Sequence, residues 1–196
     1  MVSLLMRRPD LSGLPAAPPT EVRVEVASEA DVPQLAALLD ASFEDSWDGD
    51  RVRRDLLNDS TVRRTLIIRD GDAIVATASA RVLPGEYPGA GYVHWVASDP
   101  KRRGQGLGFA ATLAVLYDFI DAGLTESVLE TDDERLRAIR VYLGLGFVPQ
   151  YRDESHQSRW SKIFIALAEE RLRSRRPGPR RIEPVASAVG DEVSPV

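Results

Sequence analysis

Hydrophobic and polar positions follow two different periods along the chain, and the switching between them predicts a mixed α/β domain. Val22, Val24 and Val26 alternate with charged residues, as in a half-buried strand. Residues 32–39 and 106–122 carry apolar side chains at helical spacing instead. We predict strands at 22–26, 65–69, 73–83, 91–98, 127–131 and 147–151, and helices at 32–39, 50–58, 106–122, 134–145 and 156–173.

Both ends of the sequence lack such periodicity and are rich in proline. Four prolines fall within residues 1–20, which we interpret as a flexible leader. Residues 174–196 contain four more, so we predict a disordered tail there. The folded unit is then one domain, residues 21–173, that ends in a C-terminal helix. An apolar stripe around Trp160 on that helix predicts either docking onto the core or a homodimer interface.

Composition narrows the classes of function. The 196 residues are 43% hydrophobic and 28% charged, an ordinary globular mixture. There is no cysteine and there are two histidines, His94 and His156, so we expect no disulfide, no thiol nucleophile and no metal site. A net charge of −5 does not favour nucleic-acid binding, although six arginines cluster at 171–181. With no targeting segment or membrane span evident, we expect a cytoplasmic protein.

The most informative segment is a glycine-rich turn. Gly104, Gly106 and Gly108 follow the predicted strand at 91–98 and lead into the next helix. Bare backbone N–H groups and the positive end of a helix dipole make such a turn a site for a phosphate or pyrophosphate. The alternative is a tight turn without a ligand. The spacing fits neither a P-loop, which ends in Gly-Lys-Ser/Thr, nor the dinucleotide-binding fingerprint, whose third glycine comes one residue later.

Two segments, in this order, resemble the motifs of a known family. Residues 103–108, RGQGLG, are similar to the acyl-CoA motif Gln/Arg-x-x-Gly-x-Gly/Ala of the GNAT N-acetyltransferases. Residues 138–147, AIRVYLGLGF, resemble the second motif of that family, a helix that carries a tyrosine and ends in Gly-Phe. The resemblance extends over about residues 21–151. It implies the GNAT, or acyl-CoA N-acyltransferase, fold: a mainly antiparallel sheet with splayed central strands and flanking helices.

The resemblance also implies how acetyl-CoA, the cosubstrate of that family, would bind. Its pantetheine arm would pair with main-chain groups of the strand before the glycine turn, where the Val96 N–H would polarise the thioester carbonyl. The N–H groups of the turn would hold the pyrophosphate. The implied cofactor-binding residues are Val96, Ala97, Ser98, Arg103, Gly104, Gln105, Gly106, Leu107 and Gly108.

Three residues are candidates for catalysis. The resemblance places Tyr142 to protonate the departing CoA thiolate, and the alternative is a core aromatic on an amphipathic helix. An amine acceptor must lose a proton before attack, and His94 and Glu130 on the central strands are candidates for the base. The alternatives are a histidine packed beside Trp95, and a glutamate that faces solvent or an arginine. Asp132, a third candidate, is more simply the start of a helix.

Two features depart from the family pattern. Arg135 stands where the family often has an asparagine, so the cofactor contact made there is in question. A helix also follows the strand at 147–151, where the family usually has a seventh strand that lines the acceptor pocket. We predict an N-acetyltransferase that moves an acetyl group from acetyl-CoA directly to a primary amine of unknown identity in a ternary complex. The alternative is a non-catalytic acyl-CoA-binding sensor or an interaction module.

Overall fold

The computed structural model describes residues 3–16, 23–43 and 45–174. Its elements follow the predicted alternation, with one strand added near the N-terminal end. The strands are β1 (Leu4–Arg8), β2 (Arg23–Val26), β3 (Val62–Asp70), β4 (Ala73–Val82), β5 (Ala90–Ser98), β6 (Glu126–Thr131) and β7 (Val148–Pro149). The helices are α1 (Val32–Asp40), α2 (Gly49–Val52, continued by a π-helical turn at Arg53–Leu57), α3 (Leu107–Asp121), α4 (Leu136–Gly144) and α5 (Glu154–Ser174).

One seven-stranded sheet forms the centre of the domain, in the order β2-β3-β4-β5-β6-β1-β7. Every neighbouring pair is antiparallel except β5 and β6, which run parallel. That parallel pairing joins Ala90–Tyr92 to Glu126–Val128, and beyond it the two strands diverge. The predicted mainly antiparallel sheet with splayed central strands is therefore confirmed.

The prediction of a flexible leader over residues 1–20 is wrong for its first part. β1 pairs with β6 along its whole length and also with β7, so it lies inside the sheet. Leu4, Leu5 and Met6 are all buried, because both faces of the sheet are covered at this position. A strand buried on both faces shows no alternation of polar and apolar residues, so its pattern carries no strand signal. Residues 17–20 lie outside the described residues.

The seventh strand of the sheet is supplied by the N-terminal end of the domain. β1 lies between β6 and β7 in the sheet. The segment after β7 is the helix α5, as expected, and it adds no strand. Trp160 and Ile163 of α5 are buried in the main core, which supports docking of this helix rather than a dimer face. Two other apolar residues of α5, Phe164 and Leu172, are 41% and 68% exposed. The predicted tail, apart from Ser174, lies outside the described residues.

Helices cover both faces of the sheet. α3, α4 and α5 pack over one core cluster, and α1 and α2 pack over the other. Ile68 of β3 belongs to the first cluster and its neighbour Ile67 to the second, because successive side chains of a strand point to opposite faces. A Cβ at Gly91 of β5 would overlap the ring of Phe119, so this glycine lets α3 approach the strand closely.

Candidate active site

A groove of about 780 Å³ begins at the diverging end of β5 and runs between the glycine turn and α4. Its lining includes all nine residues predicted to bind the cofactor: Val96, Ala97, Ser98, Arg103, Gly104, Gln105, Gly106, Leu107 and Gly108. The fold therefore brings these nine residues together around one open groove. Their contact with acetyl-CoA remains a prediction.

β5 is irregular where the groove begins. Two of its residues, Trp95 and Val96, oppose the single residue Ala78 of β4, which defines a β-bulge. Trp95 has φ 44, the one positive φ of a non-glycine residue in the described chain. The pairing of β5 with β6 ends at Tyr92, before the bulge. Among the described strands, Val96 therefore has no partner in register in either β4 or β6. This arrangement suits a ligand that binds the main chain.

The glycine turn leaves the start of α3 uncapped. Gly104 and Gly106 have φ values of 84 and 75, in the left-handed region that favours glycine. Gly106 is the N-cap of α3, and no side chain caps the helix there, so the first-turn N–H groups have no intrahelical acceptor. A Cβ on Gly106 or Gly108 would meet nothing within 4 Å, which shows that both glycines border open space. This geometry fits a bound pyrophosphate.

The groove is basic along its length. Five arginines line it: Arg102, Arg103, Arg135, Arg137 and Arg140. Three of them are held by carboxylates, as Arg140 is by Glu170 at 2.5 Å. Arg103 and Arg137 form no ion pair with any residue in the described ranges. Their guanidinium groups remain available for the phosphates of a nucleotide cosubstrate.

A second cavity, of about 210 Å³, lies beside the bulge. Its lining combines aromatic and acidic side chains with a few others: Ser3, Phe43, Tyr92, Val93, His94, Trp95, Val96, Glu130, Thr131, Asp132, Arg135 and Tyr142. Three residues, Val96, Arg135 and Tyr142, line both this cavity and the groove. An acyl group carried in the groove would meet a molecule held in the smaller cavity at these three residues.

Tyr142 lies at that junction. Its side chain is buried, and its ring centroid lies 6.0 Å from that of Phe147. Burial raises the pKa of Tyr142 to about 12, while the charge of Arg135 opposes this rise. The phenol therefore keeps its proton at neutral pH. The contact with Phe147 shows that Tyr142 packs as a core aromatic, and its role as a proton donor remains a prediction.

His94 also lines the smaller cavity, but it is a weak base. Its ring lies between those of Tyr92 and Trp95, at centroid distances of 5.7 and 5.2 Å. Burial, together with a smaller effect of the charge of Arg81, lowers the pKa of His94 to about 4. The imidazole is neutral at physiological pH, and its conjugate acid is too strong for efficient removal of a proton from an ammonium group.

Glu130 lies at the rim of the same cavity and is held by two partners. Arg152 donates to a carboxylate oxygen at 3.2 Å, and the Tyr87 hydroxyl donates to the same oxygen at 3.3 Å. Arg152 also donates to the Tyr87 hydroxyl at 2.7 Å, which closes a triangle of hydrogen bonds. The pairing with an arginine that we left open is therefore observed. Glu130 still lines the cavity, so its role as a base remains a prediction.

Sequence reasoning missed part of the wall of the smaller cavity. Ser3 enters it from the N-terminal segment, with its hydroxyl 3.5 Å from a carboxylate oxygen of Asp132. Phe43 comes from the loop after α1, and Phe43 and Trp47 meet the Trp95 ring edge-on at centroid distances of 5.0 and 4.8 Å. Two large aromatic side chains in one short loop were the available signal, since such residues normally require burial.

None of the helices in the described ranges has the length and apolar character that crossing a bilayer requires. In the same residues, no group of three or more His, Asp or Glu side chains has the arrangement to hold a metal ion.

Comparison with known families assigns the chain to a class. The family described as "Acetyltransferase (GNAT) family" matches residues 32–147, a range that includes the bulge, the glycine turn and Tyr142. The chain therefore belongs to the GNAT acetyltransferase family. Members of this family in general use acetyl-CoA as cosubstrate, and the uncapped turn and unpaired arginines of the groove fit that molecule.

Individual relatives match only in part. The chain is 33% identical to the mycothiol acetyltransferase of Nocardia farcinica over 85 residues, which are 43% of this chain and 28% of that protein. A putative GNAT acetyltransferase from Novosphingobium aromaticivorans has a TM-score of 0.58 at 24% identity, over 76% of this chain and 61% of that one. The ribosomal-protein-S18-alanine N-acetyltransferase of Escherichia coli has a TM-score of 0.57 at 18% identity, over 66% and 79%. The two structural likenesses show the fold alone.

Proposed function

We propose that the protein transfers an acetyl group from acetyl-CoA to a primary amine, with both substrates bound at once. The observation that carries this proposal is the meeting of the groove and the smaller cavity at Val96, Arg135 and Tyr142. The groove offers an uncapped helix start and two unpaired arginines to phosphates. The smaller cavity offers carboxylates and aromatic rings, which attract a cationic amine. Because the sequence has no cysteine, an acyl-enzyme on a thiol is not available.

The chemical step is a direct attack. The acceptor nitrogen bonds to the thioester carbonyl carbon, the C–S bond breaks, and the sulfur leaves with the electron pair. The Val96 N–H would stabilise the oxyanion, since it lies at the bulge without a strand partner. Tyr142 would donate a hydrogen bond to the leaving sulfur. We favour Glu130 over His94 for taking the proton of the amine, directly or through water, because the pKa of His94 lies near 4.

The first experiment tests the cosubstrate site by calorimetric titration with acetyl-CoA. Gly108→Trp places a large side chain into the groove without backbone strain, because φ at this glycine is not positive and a Cβ there meets open space. Gly85→Trp is the matched control, since Gly85 is also unstrained and open but lies outside the groove. We expect micromolar binding to the wild type and to Gly85→Trp, and a loss of at least about tenfold in Gly108→Trp. Equal binding to all three would refute the groove as the CoA site.

The second experiment tests catalysis with a panel of amines. The panel holds small amines, amino-acid derivatives, aminoglycosides, and peptides with free N-termini or lysines, and the release of CoA is followed with a thiol reagent. We expect release that depends on one class of acceptor. If acetyl-CoA binds but no amine raises the release of CoA, the protein is an acyl-CoA-binding module rather than an enzyme.

A further inference from the structure

Arg135 occupies a position that no other charged residue of the described chain shares. Of the three residues that line both cavities, Val96 and Tyr142 carry no charge at neutral pH, and Arg135 carries a full positive charge. The remaining arginines of the groove line the groove alone. A cation therefore stands at the place where the thioester of a bound acetyl-CoA would meet the acceptor.

Two contacts and a helix fix the position of this guanidinium. Asp132 lies 3.4 Å from its Nε, and the ring of Phe43 lies below the guanidinium at 4.6 Å from centroid to carbon. Arg135 is also the residue directly before α4, the helix that carries Tyr142. The side chain is 38% exposed, and it lines both cavities. The positive charge of Arg135 opposes the rise in the pKa of Tyr142 that burial causes.

Tyr142 alone does not stabilise the negative charge that develops on the departing sulfur. A thiol has a pKa of about 8.5, well below that of the buried Tyr142, so transfer of the phenolic proton to the thiolate is uphill, and the sulfur can leave as an anion only if a nearby positive charge stabilises it. The charged groups that face this point are few. Asp132 and Glu130 lie on the acceptor side together with the neutral His94, and the paired and unpaired arginines lie along the groove.

We propose that Arg135 is a catalytic residue whose guanidinium stabilises the CoA thiolate as the C–S bond breaks. The electron pair of that bond goes to sulfur beside the cation, and the proton lost by the acceptor nitrogen leaves through the base. Tyr142 donates a hydrogen bond to the same sulfur and keeps its proton, and CoA leaves the site as the thiolate, which takes up a proton from solvent. This inference rests on the proposed function, since it requires CoA in the groove.

The test measures the pKa of the thiol of bound CoA, with no acceptor present. The chain has no cysteine, so the thiol of CoA is the sole one in the complex. Thiolate formation is followed by ultraviolet absorbance over a pH titration, with desulfo-CoA as the blank. An opposite charge within about 4–6 Å shifts a pKa by one unit or more. We therefore expect the thiol pKa to be about one unit lower in the wild type than in Arg135→Gln.

Matched variants separate this role from a general effect of charge. Arg135→Lys keeps the charge and should restore most of the shift. Asp132→Asn removes a competing anion and should lower the thiol pKa further. Arg137→Gln removes an arginine that lines only the groove, and it should weaken CoA binding while leaving the thiol pKa of the bound molecule unchanged.

The outcomes distinguish the two proposals. If CoA binds wild type and Arg135→Gln with the same thiol pKa, the role of Arg135 is overturned and the CoA site stands. A shift of equal size in Arg137→Gln would also overturn it, because the effect would then belong to the basic groove as a whole. Absence of CoA binding to the wild type would overturn the proposed function and this role together.

Discussion

The guanidinium of Arg152 lies 3.2 Å from a carboxylate oxygen of Glu130, at the rim of the smaller cavity. Arg152 is itself fixed, because its backbone N–H donates to Nδ1 of the buried His156 at 3.1 Å. The segment between β7 and α5 therefore holds a carboxylate of β6 at the entrance to the candidate acceptor site. The proposed base is thus held in one orientation by Arg152 and Tyr87.

Glu130→Gln removes this proton acceptor while preserving the shape of the side chain. We expect acceptor-dependent turnover to fall by about 10²-fold or more, the usual contribution of a positioned base, with CoA affinity unchanged. His94→Gln changes a second titratable residue of the same cavity and should stay within a few-fold of the wild type. Steady-state kinetics with the acceptor found in the screen make the comparison, and the opposite ranking would identify His94 as the base.

Stability should depend on pH through His94. Its pKa is lowered to about 4 in the folded protein and is 6.5 in the unfolded chain. Between these values the unfolded state binds more protons, so the contribution is complete above pH 6.5 and is lost as the pH falls towards 4. We expect a loss of at most about 3 kcal/mol in the free energy of unfolding. Urea denaturation at several pH values should show a flatter profile for His94→Gln, and an equally steep one would contradict the assignment.

Because the backbone of Trp95 is left-handed, we expect glycine and alanine substitutions there to differ in stability in the opposite sense from normal. Glycine normally destabilises a strand relative to alanine by about 0.5–1 kcal/mol. At φ 44 the order should reverse, so Trp95→Gly should be more stable than Trp95→Ala by about 1 kcal/mol. Val93→Gly and Val93→Ala, at a buried position before the bulge, should keep the normal order. Chemical denaturation of the four variants tests this, and the same order at both positions would argue against the bulge geometry.

The buried N-terminal strand can be tested through Leu4, which is 0% exposed. Leu4→Ala should lower the free energy of unfolding by about 2–5 kcal/mol, because it leaves a cavity in the main core. Ala16→Ser, at an exposed position in the same N-terminal region, should change it by less than about 0.5 kcal/mol. A thermal or urea melt measures both. If Leu4→Ala is as neutral as Ala16→Ser, the segment does not contribute to the sheet.

The predicted site residues that the fold brings to one groove are those coded by short local patterns. The glycine turn at 104–108 and the tyrosine of α4 each lie within about ten residues of sequence, and the fold brings both to one groove. Gly104 and Gly106 have φ values of 84 and 75, which other residues rarely adopt, so glycines at these positions indicate the turn in the sequence itself.

The parts that sequence reasoning missed depend on distant pairing. β1 is three apolar residues followed by two arginines, a pattern too short to predict a strand, and its partners lie far along the chain. Phe43 and Arg152 sit in connecting segments, and their role appears only when β5 and β6 are in place. The bulge at Trp95 arises from a register shift between two strands, which neither strand shows by itself.

The position of β1 constrains the order of folding. This strand precedes its partners in β6 by about 120 residues of sequence. Contacts of such long range form late, since closing a large loop costs entropy before any contact rewards it. Until β1 arrives, the edge of β6 is open to the same segment of another copy. Exchange of this segment between copies should therefore be the main folding error, and it should increase with protein concentration during refolding.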